Sequence, residues 1–132
     1  FEYEFFVFKE TPESVREKDY RGLTPMAPGW FGYSVIRNST GNAFYRQLLD
    51  HCRDMDMAIE GLHEETGPGA LEAAIEVSDA LTFSVLGVLF KTYAKVVAQR
   101  HRGHHAPVAA LTIIRTAGVN RLRQNHVQGD CL

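Results

Sequence analysis

The chain begins with FEYEFFVF, a run of aromatic and β-branched residues that contains two carboxylates one residue apart. Segments of this composition and length are typical of a β-strand, so residues 1–8 are predicted to form one. Side chains alternate along a strand, which places Glu2 and Glu4 on one face, together with Phe6 and Phe8. Burying an ionised carboxylate without a partner costs several kcal/mol or forces its pKa upward, and two neighbouring carboxylates repel each other. The acidic face of this strand therefore needs either solvent or a cation.

Three arrangements satisfy that need. The strand lies at the edge of a sheet with its acids in water, or an Arg or Lys side chain pairs with them, or a divalent cation binds there. Mg²⁺ and Mn²⁺ prefer oxygen ligands, so carboxylates suit them. The eight residues taken alone favour the exposed edge strand by a small margin.

A second acidic segment, EGLHEETGPGALE, changes that balance. It contains Glu60, His63, Glu64, Glu65 and Glu72 around a Gly-Pro-Gly sequence. Pro68 and Gly69 suit the central positions of a type II turn, so residues 57–77 are predicted to form strand, tight turn and strand. Glu65 and Glu72 then return from two connected strands towards one point, where they and His63 make a plausible site for a hard metal ion.

Two features of this segment argue against a single site. Glu60 and Glu65 fall on opposite faces of an ideal strand, so a bulge or bend is required if both serve one site. Glu64 and Glu76 are expected to be solvated, and a lone histidine such as His63 is more often packed or exposed than a ligand.

The remaining elements follow from helix signals. Thr11 can cap a short helix that starts at Pro12, and residues 21–37 are predicted to be a loop ending in a short strand near 33–36. A helix over 38–55 presents the stripe Phe44, Leu48 and Cys52, with Tyr45 and Leu49 beside it. A longer helix over 78–102, capped by Ser78 and closed by Gly103, is predicted to bury Leu81, Val85, Val88, Leu89, Tyr93, Val96 and Val97. Residues 108–114 could form a strand, and the last 15 or so a tail.

Composition excludes several classes of protein. The 132 residues suffice for one domain, and a net charge of −2 gives no basic surface for nucleic acid. Cys52 and Cys131 form no CxxC pair, which argues against a zinc site or a disulfide framework. No signal peptide and no stretch of about 18 apolar residues is apparent, so no membrane span is expected. The chain also lacks an initial Met and starts inside a strand-like run, which suggests a fragment of a longer protein.

Three motifs together, EYEFFVF, IEGLHEETGPGALEAAI and LFKTYAK, resemble the glutamine synthetase family, in particular its bacterial branch with γ-glutamyl-amine ligases. The resemblance covers about residues 1–102. It implies a partial catalytic domain over residues 1–103 and a divergent segment over residues 104–132. The implied fold is α+β, with a curved antiparallel sheet that carries the carboxylates and is backed by two long helices.

The resemblance also implies an activity. In the family, ATP phosphorylates the γ-carboxylate of glutamate, and ammonia or an amine then displaces phosphate to form an amide, with Mg²⁺ or Mn²⁺ ions at the site. Glu4, Glu65 and Glu72 match the ligands of one metal, and Glu2 matches a ligand of the second. Glu60 matches a glutamate near the nucleotide, and His63 falls beside the same nucleotide pocket. Lys91 is at most structural. The expected partners are glutamate, ATP, ammonia or an amine, and further copies of the chain, without nucleic acid or membrane, in the cytoplasm.

Parts of the family pattern are absent. An N-terminal β-grasp domain is missing, and the S-G-H-x-H segment that supplies the second metal's histidine is replaced by HHAPVAALTIIRTAGVNRLRQ. His104 and His105 are adjacent and do not have the spacing to substitute. A non-catalytic structural or binding relative is therefore the alternative function, and an unrelated α+β domain with surface acids is a third. Neither a Ser-His-Asp or Cys-His arrangement nor a phosphate-binding loop is present.

Overall fold

The computed structural model describes residues 2–27, 29, 32–103, 106–107 and 109–116, with side chains up to His101. The strands in this part of the chain are β1 (Glu2–Phe8), β2 (Ile59–Glu64), β3 (Ala70–Ile75), β4 (Arg102–Gly103), β5 (Ala106–Pro107) and β6 (Ala109–Thr116). The helices are α1 (Pro12–Glu17), α2 (Val35–Thr40), α3 (Asn42–Asp54) and α4 (Ala80–Arg100). The predicted α+β class is confirmed.

An antiparallel sheet in the order β2-β3-β1-β6 forms the centre of the fold. Strand β1 pairs with β3 on one side and with β6 on the other. It is an interior strand, so the exposed-edge explanation of its two acids does not apply. The predicted strand over 108–114 corresponds to β6, and the predicted tail lies outside the described residues.

Alternation along β1 separates a core face from an acidic face. Tyr3, Phe5 and Val7 are buried, whereas Glu2 and Glu4 are only partly covered. The core face packs against α3 and α4, and its main cluster contains Tyr3, Phe5, Val7, Phe44, Leu48, Cys52, Leu71, Ile75, Phe83, Phe90 and Val97. Each apolar side chain buried there contributes about 1.5–3 kcal/mol. This packing holds the acidic residues on the opposite side of the sheet, away from the helices.

The turn between β2 and β3 has the predicted form. Ala70 N donates to Gly67 O at 3.1 Å, and Gly69 has φ +75°, as a type II turn requires of its third residue. A Cβ at Gly69 would lie 2.6 Å from Val7 O. The turn is therefore packed against β1, and glycine is needed both for the backbone angle and for this approach.

Two predictions in the middle of the chain are wrong. Residues 35–36 belong to α2 rather than to a strand, because Ser34 Oγ accepts from Arg37 N and caps a helix there. Gly41 separates this helix from α3, so the predicted helix over 38–55 is two shorter helices. The stripe of Phe44, Leu48 and Cys52 is buried as predicted. Val35 and Ile36, which the sequence places in the predicted strand, are both exposed residues of this helix.

The buried face of α4 differs from the prediction. Phe83, Phe90, Ala94, Val97 and Ala98 are buried, and of the predicted stripe only Val97 is among them. Leu81, Val85 and Val88 are exposed, and Leu89, Tyr93 and Val96 are partly covered. The helix is apolar on several sides, so periodicity did not determine which side faces the sheet. The aromatic contacts of Phe83 and Phe90 with Tyr3 decide it.

The ends of α4 also differ by a few residues from those predicted. Asp79, rather than Ser78, is the N-cap, and its carboxylate accepts from the backbone N–H groups of Leu81 and Thr82. His101 is the C-cap, and Gly103 lies in β4. By length and mean hydropathy (1.4) α4 could cross a membrane, a test that core helices pass as well. In this fold, Phe83 and Phe90 pack it against β1.

Glu10 ties α1 to the loop that follows it. Its buried carboxylate accepts from Ser14 Oγ at 2.6 Å, Lys18 Nζ at 2.5 Å and Thr24 N at 2.8 Å. The bond from Lys18, followed by those from Ser14 and Thr24, lowers the pKa of Glu10 to about 2. Thr11 caps α1 as predicted, so the start of this helix has two polar anchors.

We expect Glu10→Gln to lower the melting temperature at pH 7, with a difference from wild type that shrinks at low pH. A carboxyl whose pKa is lowered on folding stabilises the fold at pH values above its ordinary pKa of 4.5. That contribution is lost as the pH falls towards the lowered pKa of about 2. Circular dichroism melts between pH 7 and pH 2.5 measure this. Glu17→Gln, at an exposed position in the last turn of α1, is the control. An equal loss for both variants at all pH values would contradict the prediction.

We expect Gly87→Ala to destabilise the protein by about 1–3 kcal/mol, the usual cost of overpacking. A Cβ at Gly87 would overlap the Tyr3 hydroxyl oxygen and lie 3.0 Å from Cζ of its buried ring. That ring cannot move freely because Phe83 and Phe90 lie against it. Urea unfolding measures the loss. Gly61→Ala is the control, because no atom lies within 4 Å of its Cβ position; a gain in stability at Gly87 would show that Tyr3 moves easily.

Candidate metal centre

Three of the predicted site side chains form a row across the sheet. Glu4 lies opposite Glu72 in the β1–β3 pairing, and His63 lies opposite Glu72 in the β2–β3 pairing. Directly opposed residues point to the same face, with Cβ atoms about 4.5–5.5 Å apart. Strand pairing thus brings the two acidic segments of the sequence together on the face away from the helices.

The tightest cluster consists of His63, Glu65 and Glu72, called the triad below. One ligand atom from each lies within 4.8 Å of the other two. His63 Nε2 is 3.3 Å from Glu65 Oε1 and 3.8 Å from Glu72 Oε1. The side chains are 33%, 17% and 13% exposed respectively, so the triad is open to a small ligand yet shielded from bulk water.

Glu65 is held from several sides. Its Oε2 accepts from Thr66 N at 3.0 Å, and its Oε1 accepts from the Tyr33 hydroxyl. Burial by itself would raise the pKa of Glu65, but the bonds from Tyr33, Thr66 and His63 together lower it. The hydrogen bond between Tyr33 and Glu65 is the largest of the causes that raise the pKa of Tyr33 to about 12; burial and nearby carboxylates also contribute. Glu65 is therefore an oriented carboxylate that favours its charged form.

Sequence reasoning missed Tyr33, which was assigned to a strand near 33–36. Its ring stacks on His63 with centroids 5.2 Å apart and an angle of 26° between planes. The sequence signal for it is an aromatic residue directly after Gly32, within a segment predicted to be a loop that ends in a short strand.

Glu72 has a crowded electrostatic environment. The pKa of Glu72 is raised, and burial is the largest cause. Repulsion from the Glu2, Glu65 and Glu4 carboxylates raises this pKa further, whereas His63 lowers it. A divalent cation would offset this repulsion between like charges. Two carboxylates and an imidazole at ligand spacing suit Mn²⁺ or Mg²⁺, and further carboxylates share the face, so the residues present fit the implied metal.

The predicted metal ligands lie on one face but not in one cluster. Glu65 and Glu72 belong to the triad. Glu4 is directly opposite Glu72, and Glu2 lies two residues before Glu4 in β1, opposite Ala74. Both are close enough to affect the pKa of Glu72. The assignment of Glu4 to one metal and Glu2 to another remains a prediction.

The two predicted nucleotide-binding residues are separated. His63 lies between Glu65 and Glu72, in the triad itself. Glu60 is exposed, and the register of β2 with β3 shifts between Ile59 and Gly61, on either side of it. A bulge of the kind that a shared site for Glu60 and Glu65 would need is present, but Glu60 is not a member of the triad.

The prediction that Glu64 is solvated is wrong. Glu64 is 4% exposed, and its Oε1 accepts from the Tyr45 hydroxyl at 3.3 Å. It alternates with His63 and Glu65 and so points to the helix side, where Tyr45 of α3 reaches it. Glu76 is exposed as predicted.

The histidines after α4 play no part in this cluster as far as the structure describes them. His101 Nδ1 lies 3.0 Å from Gln47 Oε1, and its ring packs edge-on against Phe44. Burial lowers the pKa of His101, consistent with a packing role. His104 and His105 lie outside the described residues.

A carboxylate and histidine site on an antiparallel sheet defines a candidate divalent-metal protein, and comparison with known proteins identifies its family. Residues 1–120 match the glutamine synthetase catalytic domain. Over 97 residues, 74% of the chain, the sequence is 38% identical to type-1 glutamine synthetase 2 of Dictyostelium discoideum and 31% identical to gamma-glutamylethanolamide synthetase GlnA4 of Streptomyces coelicolor. The chain belongs to the glutamine synthetase catalytic domain family.

The matched segments are only 18% and 21% of these two relatives, so the chain spans about a fifth of the length of the curated proteins it matches. The family match continues past Gly103 to residue 120. The division into a partial catalytic domain over 1–103 and a divergent segment over 104–132 stays a prediction.

We expect Glu72→Gln to raise the melting temperature of the metal-free protein at pH 7 and low salt by about 2–4 °C. In a chain of this length, that shift corresponds to a gain of ~0.5–1 kcal/mol in the free energy of unfolding. The raised pKa of Glu72 means that the fold is favoured when this carboxyl is protonated, and that contribution is lost as pH rises through the raised pKa. The gain should therefore be small well below pH 4.5 and should fall with added salt.

Melts in EDTA over a range of pH measure this gain. Glu76→Gln serves as the control, because Glu76 is exposed just after the same strand. A lower melting temperature for Glu72→Gln in EDTA would show that the carboxylates do not repel one another.

Proposed function

We propose that this chain is the metal-binding part of an ATP-dependent ligase that joins glutamate to ammonia or an amine as a γ-glutamyl amide. ATP would phosphorylate the γ-carboxylate, and the amine would displace phosphate from the resulting γ-glutamyl phosphate. The observation that carries the proposal is the triad, with Glu2 and Glu4 on the same face, in a chain of this family.

In this proposal each acidic strand has a defined task. Glu65 and Glu72, with Glu4 opposite, hold one Mg²⁺ or Mn²⁺, and Glu2 contributes to a second. The ions supply positive charge where negative charge accumulates during phosphoryl transfer. His63 is a further donor beside Glu65 and Glu72, and Glu60, exposed at the bulge, lies near the nucleotide in this proposal. We place the reaction in the cytoplasm, where ATP is available, and we propose that several copies of the protein assemble.

The metal assignment predicts a stabilisation by Mn²⁺ that depends on Glu72. At 100 times its dissociation constant, a ligand that binds only the folded state adds about 2.7 kcal/mol. We expect Mn²⁺ to raise the melting temperature of the wild type and of Glu76→Gln, and to have little effect on Glu72→Gln. Thermal melts with and without Mn²⁺ measure this. Equal Mn²⁺ shifts in all three proteins would remove the triad from the proposal.

The ligase assignment is tested by phosphate release from ATP with the protein that carries this sequence. Release should require glutamate and an amine together. The panel should include ammonia and ethanolamine, since the two relatives are named as a glutamine synthetase and a gamma-glutamylethanolamide synthetase. Mn²⁺ binding without amine-dependent release across a broad panel would favour the non-catalytic relative instead.

A further inference from the structure

The loop before α2 is docked on the end of β2, which carries His63 and leads into Glu65. Tyr33 N donates to Glu64 O at 3.1 Å. A Cβ at Gly32 would lie 3.0 Å from the backbone carbon and oxygen of Glu65 and 3.3 Å from Thr66 N. The two backbones are therefore in close contact here, and a side chain at position 32 would require one of them to move by a few tenths of an ångström.

Tyr33 itself has an unfavourable backbone conformation. Its φ is +63°, in the left-handed region that L residues with a side chain rarely occupy. Burial does not explain this, because the residue is 65% exposed. Residues in such conformations persist where surrounding contacts hold them, and they concentrate at functional sites.

The contacts of the Tyr33 side chain are directed at the triad. Its hydroxyl donates to Glu65 Oε1, the oxygen that faces His63 Nε2, and its ring stacks on the His63 imidazole. One exposed side chain thus touches two of the three triad members and restricts both a carboxylate and a ring.

We propose that Tyr33 is a positioning residue of the divalent-cation site, which holds the Glu65 carboxylate and the His63 ring in the orientation that binds the ion. This inference rests on the proposed function, which assigns a cation to the triad. A ligating carboxylate is usually hydrogen-bonded by a further residue, and loss of such a partner typically weakens metal affinity 10–100-fold. The Oε1 atom has a second lone pair, so it can accept from Tyr33 and still face an ion.

The test is calorimetric titration of the whole chain with Mn²⁺ as the probe. Tyr33→Phe removes the hydroxyl and keeps the ring, so we expect the dissociation constant to rise about tenfold. Tyr33→Leu removes both contacts and should cause a larger rise. Tyr20→Phe is the matched control, because Tyr20 is also exposed and also has a positive φ (+59°), in the loop after α1.

A second pair of variants tests the loop rather than the side chain. Gly32→Ala should displace the loop from Glu65 and weaken Mn²⁺ binding even though Tyr33 is intact. Gly61→Ala, where no atom meets the new Cβ, should not. Melts in EDTA separate positioning from folding: the inference requires that Tyr33→Phe lose Mn²⁺ affinity while its metal-free melting temperature stays close to that of wild type.

The outcomes distinguish this inference from the proposed function. If wild type binds Mn²⁺ and Tyr33→Phe binds it equally well, Tyr33 has no positioning role and the metal site stands. A fall in affinity in Tyr33→Phe that is matched by Tyr20→Phe overturns the inference in the same way. If wild type binds no Mn²⁺, both the metal site and the role of Tyr33 fail.

Discussion

The pairing of β3 with its two neighbours is the constraint on which the candidate site depends. Glu72 has Glu4 on one side and His63 on the other because both registers place it at the same level. Glu4, His63 and Glu72 lie on three different strands, so no single segment of the chain contains this site. Backbone hydrogen bonds that satisfy the sheet therefore also set the spacing of the functional side chains.

The same strands separate function from stability by alternation. In β1, Tyr3 and Phe5 face α4, while Glu2 and Glu4 face the other way. The aromatic core supplies the free energy that keeps like charges close together, since repulsion around Glu72 acts against folding. A cation bound there, as we propose, would reverse that balance, because the charge that opposes folding would attract it.

Much of this could be predicted from the sequence, and the reasons for the failures are physical. Alternation and turn chemistry are local, so the acidic face of β1 and the turn at Pro68–Gly69 followed from short motifs. The buried side of α4 did not, because that helix is apolar on several sides and its packing depends on Tyr3, about 80 residues away. The burial of Glu64 depends on Tyr45 in another element. Tyr33 was missed because its role arises from a loop that reaches the triad only in the folded chain.

The turn between β2 and β3 has a consequence for which changes the chain tolerates. A shift of β3 by one residue would turn Glu72 to the helices and Leu71 to the site, since side chains alternate. Gly69 already lies against β1, where even an added Cβ would come 2.6 Å from the Val7 carbonyl oxygen. The six positions between Glu65 and Glu72 therefore fix the relative placement of these two side chains. A change in their number would move a candidate ligand to the wrong side of the sheet, which a substitution on the solvent side of the turn would not do.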